Sequence, residues 1–455
     1  MTLNLLAQRF LPAPLYTRFT ASSIAQRLAR GSIWSLFGSA TSRILVLVAM
    51  ILAARILGQV SFGEFGLIQA TLGVFGIMAG VGLGSAATRF VAQYAKPDPE
   101  RAGRVIALVT ASSIITVLVS SGLLIAFSGI LAERILEAPH LQQALIWGTL
   151  LLAVSAFRGI QNGTFAGLER FDIIAKLNIL DGVLALPAIA LLASLLGVEG
   201  ALLGLALSAS VVWIAGRFLL ADDLRKRGIR VQYRGAWADW RILTGYSLPS
   251  FLAASLATPA VWVAMLLVAR SDHGYPDLAL YHAAYQWVGP MIFIPMILTT
   301  VSIPVLVQEW ASGQYVRFQR VFLALAGITL VLSGAAASVL AALSPLIMRL
   351  YGPGFDEGWP ILVLLMIASP FLAVARISTG ALYGMNQAWR VFLSQLISGF
   401  VFILITASLV KPMGATGMSV GFLFSHFVMM FLSSYFVLTG LRSQKASLSR
   451  IRNKS

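Results

Sequence analysis

Four charged side chains lie well inside long apolar runs of this 455-residue chain: Arg43, Arg158, Asp181 and Arg376. A guanidinium stays charged at any working pH, and its planar fork of donors matches phosphate oxygens two at a time. An arginine at the centre of a bilayer costs roughly 2.5–3.5 kcal/mol, so three facing lipid would cost about 8–10 kcal/mol. The three are therefore expected to face the interior. Asp181 lies at a depth similar to Arg158 on the following run, so an internal Arg158–Asp181 pair is the plain alternative to a ligand role. One carboxylate cannot neutralise three arginines, and the surplus describes a chamber suited to an anion. Asp181 is also the candidate carrier of a coupled proton. Gln161 and Asn162 add amide donors near Arg158. Ser39 belongs to a hydroxyl stripe, Ser32, Ser35, Ser39 and Ser42, on the face that carries Arg43. The set fits a phosphate with sugar hydroxyls attached. Cys is absent and His140, His273, His282 and His426 are scattered, so no metal site or cofactor is expected.

The elements that must position these residues are membrane helices. Hydrophobic residues make up 58% and charged residues 11%, against roughly 25% charged in a soluble chain, too few to coat a soluble body of this size. Runs long enough to cross a ~30 Å hydrocarbon core fall near 33–56, 65–88, 105–130, 142–165, 173–196, 199–220, 242–268, 279–305, 320–346, 359–382, 391–410 and 414–440. They are too long and too uniformly apolar for barrel strands, and lipid tolerates only helices or closed barrels. The expected fold is all-α, with twelve transmembrane helices in two six-helix bundles. Residues 1–32 read as a cytoplasmic arm, 33–220 and 242–440 as the bundles, 221–241 as a basic linker and 441–455 as a basic tail.

The net charge of +16 has a membrane explanation. With the N-terminus inside, only Arg55, Arg134, Arg270, Arg349 and Lys411 fall in outer loops. Apart from the three arginines within the runs, the rest of the 33 Lys and Arg lie inside, a strong positive-inside bias. Both termini are then cytoplasmic, and no nucleic-acid partner is needed.

An internal repeat is expected between the halves. Gly163-Thr-Phe-Ala-Gly167 and Gly380-Ala-Leu-Tyr-Gly384 close the fourth and tenth runs, 217 residues apart. Each follows an arginine, Arg158 five residues before the first glycine and Arg376 four before it. The serines of the first run are echoed by Thr244, Ser247, Ser255 and Thr258 in the seventh. Gly80-Val-Gly82-Leu-Gly84 has the look of a dinucleotide loop but follows no strand, so it and the paired glycines read as helix contacts.

Gly31-Ser-Ile-Trp-Ser-Leu-Phe-Gly38, Ala53-Ala-Arg-Ile-Leu-Gly58, Phe62-Gly-Glu-Phe-Gly66 and Gly80-Val-Gly-Leu-Gly-Ser-Ala-Ala-Thr-Arg89 together resemble the start of the Wzx-type polysaccharide-repeat flippases. These belong to the superfamily that also holds MATE drug exporters and the MurJ lipid II flippases. The resemblance implies two bundles set as a V that alternate between inward and outward openings. It implies a cargo of undecaprenyl-pyrophosphate-linked oligosaccharide moved across the bacterial inner membrane for polysaccharide biosynthesis, handed on to polymerase machinery, with no covalent chemistry. By the same resemblance Arg43 stands where MurJ-type relatives carry a functional arginine, and Arg89 is the family's recurrent arginine at the cytoplasmic end of the second helix. Twelve spans against fourteen weigh against lipid II itself. The competing readings are a MATE-type exporter of organic cations, which would want an acid in the first span, and a membrane glycosyltransferase, which would want a catalytic acid or base and a large outer loop.

Overall fold

The computed structural model describes the backbone of residues 23–80, 82–242, 257–272, 274–292 and 306–452, and side chains within 41–80, 82–242, 258–272, 274–292 and 306–442. Thr244, Ser247, Ser255 and His273, and the side chains of Ser32, Ser35 and Ser39, lie outside the described residues. The described residues are almost entirely helical and contain no strand. The helices are α1 (Ser23–Gly80), α2 (Leu83–Tyr94), α3 (Pro99–Ile130), α4 (Gln142–Gly167), α5 (Phe171–Lys226), α6 (Ala257–Ala269), α7 (Gly274–Tyr285), α8 (Tyr315–Ala342), α9 (Ser344–Arg349), α10 (Trp359–Gly384) and α11 (Ala388–Arg452). Seven helical segments among the described residues are long and apolar enough to cross a membrane.

Three of these segments are about twice the length one crossing needs, and each is cut by a single glycine. Gly58 (φ 74°, ψ 177°), Gly197 (φ 61°, ψ −133°) and Gly414 (φ 53°, ψ −133°) hold non-helical backbone inside α1, α5 and α11. Positive φ with extended ψ is open to glycine and strained for any residue with a Cβ. The corner folds the chain back at once. A Cβ on Gly200 would strike the Leu192 carbonyl, and one on Gly204 would lie 2.8 Å from the Ala188 carbonyl oxygen. Runs expected as separate helices joined by loops are thus helix, corner, helix. The run 65–88 is broken as well: Gly82, left-handed at φ 88°, separates α1 from α2.

The repeat is more exact than the glycine pairs alone imply. Shifting α4 by 217 residues gives both ends of α10, and the start of α5 lands on the start of α11. Left-handed residues recur at the same shift: Glu137 and Gly354, Glu169 and Asn386, Gly197 and Gly414. The crowding recurs too, since Gly417 abuts the Leu409 carbonyl as Gly200 abuts that of Leu192.

Packing differs between the two ends of the molecule. At the end carrying Arg55, Arg270 and Tyr351, one core cluster draws on both halves of the chain, including Phe62, Phe65, Tyr281, Tyr351 and Phe355. At the opposite end, the cluster around Phe318 and Ile377 is confined to the C-terminal half, while the cluster around Val91 and Ile106 draws on the N-terminal half, the linker and Ile242. The joined end is held by a reciprocal clasp. Arg55 Nε donates to the Leu350 carbonyl (2.6 Å) and Gln59 Nε2 to that of Gly354 (2.8 Å). In return Arg270 donates to the carbonyls of Ile135 (Nε, 2.9 Å) and Arg134, and lies 3.2 Å from a Glu137 carboxylate oxygen. The Tyr275 hydroxyl donates to the Leu136 carbonyl (2.7 Å). Burial, reinforced by the Glu64 and Glu137 carboxylates, pushes the Tyr275 hydroxyl up, so it keeps its proton as a donor. Between the halves Gly63 abuts the Tyr275 backbone, where a Cβ would collide with the carbonyl oxygen.

Candidate functional site

A cavity of about 530 Å³ is lined by Ser42 and Arg43 of α1, Gln69 further along α1, His282 and Tyr285 of α7, and Gln286 just after it. A second, of about 320 Å³, lies in the C-terminal half between α6, α7, α10 and α11, and its polar lining includes Arg376, Thr379, Gln395, Ser398, Ser425 and His426. Tyr285 and Ile292 line both. A third, of about 510 Å³, meets the first at Gln69 and runs along Gly73, Gly76, Gly80, Ser155 and Gly159 of the N-terminal half. The three are neighbours through these shared lining residues. No carboxylate lines them among the described residues.

Arg43 reaches across the first cavity. Its Nη1 donates to the Gly289 carbonyl (2.8 Å), tying the first helix to the segment after α7. Arg376 extends from α10 into the second cavity with no acidic partner among the described residues. It lies close enough to Arg43 for the two cations to repel, and also acts electrostatically on Tyr285 and His426. Arg43 and Arg376 thus line neighbouring cavities that share Tyr285 and Ile292, and like charges so placed are unfavourable without a counter-charge, an arrangement that could accommodate an anion.

Arg158 stands differently. Its Nη1 is 2.8 Å from Asp181 Oδ2, while the Ser208 hydroxyl donates to Asp181 Oδ1 at 2.9 Å. The expected pair is present and occupies both groups. The register explains why Arg158 and Arg376 diverge. At a shift of 217, Arg158 matches Ala375 and Gly159 matches Arg376. One residue turns a side chain about 100° around a helix, so the second arginine is carried onto the cavity face while the first points at its neighbour α5.

Gln161 is buried, and its amide donates to the Trp213 carbonyl at 3.1 Å, serving the contact between α4 and α5. Asn162 is half-buried on the next position and matches Thr379 of the C-terminal half. Arg89 is exposed near the middle of α2, over the Phe90 ring at 5.5 Å. Gly163 and Gly84 are contact points of α4 with α2: a Cβ on Gly84 would lie 2.7 Å from the Gly159 carbonyl oxygen. Sequence reasoning missed Gln69, Tyr285, Gln395, Ser398, Ser425 and His426. Their available signal was polarity inside apolar runs, sharpened for Gln395, Ser398, Ser425 and His426 by the 217-residue register.

Comparison with known proteins agrees with this architecture. The polysaccharide biosynthesis protein family matches residues 28–310. The EPS I polysaccharide export inner membrane protein EpsE of Ralstonia solanacearum is 23% identical over 405 residues, 87% of this chain and 88% of that protein. The lipid III flippase of Escherichia coli K12 is 29% identical over 276 residues, 56% of this chain and 61% of the flippase. Among solved structures, an inward-facing multidrug resistance MATE family transporter of the MOP superfamily superposes with a TM-score of 0.75 at 15% identity, covering 89% of this chain and 96% of that one. The lipid II flippase MurJ, in an inward closed conformation, gives 0.69 at 13% identity over 91% and 90%. With its all-helical frame, its glycine-cornered hairpins and a family match across more than half its length, the chain belongs to the polysaccharide biosynthesis protein family and has a fold like that of these two transporters.

Proposed function

We propose that this protein is a flippase that carries undecaprenyl-pyrophosphate-linked oligosaccharide repeat units across the bacterial inner membrane by alternating access. Twelve spans form two six-helix bundles, one per half, with both termini in the cytoplasm. The clasped end faces outward and the parted end faces the cytoplasm, so the cavity is open to newly made cargo. Pyrophosphate passes Arg89 and settles against Arg43 and Arg376, the sugar occupies the polar space, and the polyprenyl tail stays in lipid between the bundles. Release of the clasp and closure of the opposite end then expose the headgroup outside, where polymerase machinery receives it.

The observation that carries this reading is two guanidinium groups on neighbouring cavities whose described lining holds no carboxylate, while Asp181 is taken by Arg158 and Ser208. A carrier of organic cations would want the opposite polarity. Deleting the gene and analysing lipid-linked saccharides by leaflet tests the reading. Cytoplasmic-leaflet intermediates accumulate, and Arg43→Ala and Arg376→Ala proteins that reach the membrane reproduce the build-up. Normal polymer output from both substituted proteins would reject it.

A further inference from the structure

The two halves share one helix register but differ at a place where charge lies inside the membrane runs. In the N-terminal half, three positions make a closed unit: Arg158, Asp181 and Ser208, linked at 2.8 and 2.9 Å. The same positions 217 residues on are Ala375, Ser398 and Ser425. The arginine has moved one place, to Arg376, and the carboxylate has become a hydroxyl. What was an internally neutral unit is, in the second half, a cation on the cavity wall with uncharged neighbours. Ser398 donates to the Ser394 carbonyl (2.7 Å) and Ser425 to that of Phe422 (2.8 Å), and a hydroxyl can swing from such a carbonyl to a better acceptor. The Gln395 amide lines the same cavity. The His426 Nδ1 lies 2.8 Å from the Phe422 carbonyl oxygen, so in its neutral form the ring holds its proton there and Nε2 is an acceptor for a hydroxyl.

Resting on the flippase reading, we infer that the diphosphate of the cargo is held on the C-terminal half, by Arg376 with Gln395, Ser398 and Ser425, and that position 398 sets this polarity. Serine at 398 leaves the Arg376 charge to the cargo, whereas an aspartate, as at the matching position 181, would take it. The Arg158–Asp181 pair is then framework and takes no part in binding. Arg43 approaches the same anion from the neighbouring cavity, which shares Tyr285 and Ile292 with this one.

The test uses the full-length protein in detergent with farnesyl diphosphate as the probe and farnesol as the tail-only control, read by calorimetric titration. Ser398→Asp and Arg376→Gln should each weaken diphosphate binding at least about 10-fold, the loss expected for one charge-assisted contact, and leave farnesol binding unchanged. Ser398→Asn, similar in size to the aspartate but uncharged, should lose less affinity than Ser398→Asp, and the double variant Arg158→Gln/Asp181→Asn should bind within about threefold of the parent. Wild-type affinity in Ser398→Asp, or loss in the double variant with retention in Arg376→Gln, overturns the inference while leaving the flippase reading standing. If the unsubstituted protein binds the diphosphate no better than farnesol, the lipid-diphosphate reading itself falls. Should Ser398→Asp fail to yield folded protein, Arg376→Gln against the double variant decides the question alone.

Discussion

Removing the clasp should bias the protein toward opening at the end it holds. Arg270 gives two hydrogen bonds to carbonyls of the other half and pairs with Glu137, and Arg55 gives one bond in return. Charge-assisted bonds contribute about 1.5–3 kcal/mol when buried, but Arg270 is 41% exposed, so about 1 kcal/mol per bond is the fitting figure, with little added by the ion pair. An Arg55→Ala/Arg270→Ala variant therefore loses about 2–3 kcal/mol from the closed end, a population shift of roughly 30- to 150-fold. The chain has no cysteine, which supplies the assay. Leu136, 1% exposed at the clasp, is changed to Cys in both backgrounds, and intact spheroplasts are treated with a membrane-impermeant maleimide. The unclasped background should label faster by that factor. Equal labelling rates in the two backgrounds would refute the gating argument, and labelling only after membrane disruption would place this end in the cytoplasm.

Other outcomes follow from the same geometry. Because the clasp donors are two guanidinium groups, an amide and a tyrosine whose affinity for its proton is raised, the ratio of labelling rates between the two backgrounds, in which the thiolate fraction of the cysteine cancels, should not change between pH 5 and 9. A group with a raised folded pKa gives its stabilisation below the unfolded value, near 10, and loses it only above that, so a ratio that falls toward one across pH 6–8 would contradict the donor set. Gly63→Val should wedge the halves apart and lower the melting temperature in detergent, an overpacking cost of about 1–3 kcal/mol, whereas Gly76→Ala, where a Cβ meets nothing, should leave it nearly unchanged. Gly414→Ala should cost about 1–3 kcal/mol through backbone strain alone, seen as earlier unfolding. Arg158→Ala should destabilise more than Arg158→Ala/Asp181→Ala, since the single change leaves a carboxylate in the membrane without its partner.

Much of this was legible in the amino-acid pattern for a definite reason. Apolar run length reports lipid solvation directly, so helices and their rough limits could be read. The Arg158–Asp181 pair could be anticipated because both charges are costly at that depth. What escaped was angular and backbone detail. Arginines five and four residues before matching glycines look alike as a list, yet the odd residue turns one toward α5 and the other toward the cavity. Ser398 and Ser425 look like ordinary packing residues in an apolar run, and only the register makes them counterparts of Asp181 and Ser208. The clasp had no signature at all, because most of its acceptors are main-chain carbonyls that every residue possesses. The glycine corners were read as loops because a single residue can reverse a helix only through torsions that composition does not display.

Those corners have a cost and a benefit outside transport. Where Gly197 and Gly414 turn the chain within a residue, almost nothing protrudes for a protease, an antibody or an inserted affinity tag to grip. Any handle for purification or imaging belongs instead in the exposed stretch around Tyr233 and Arg234, where extra length would meet water and no second helix.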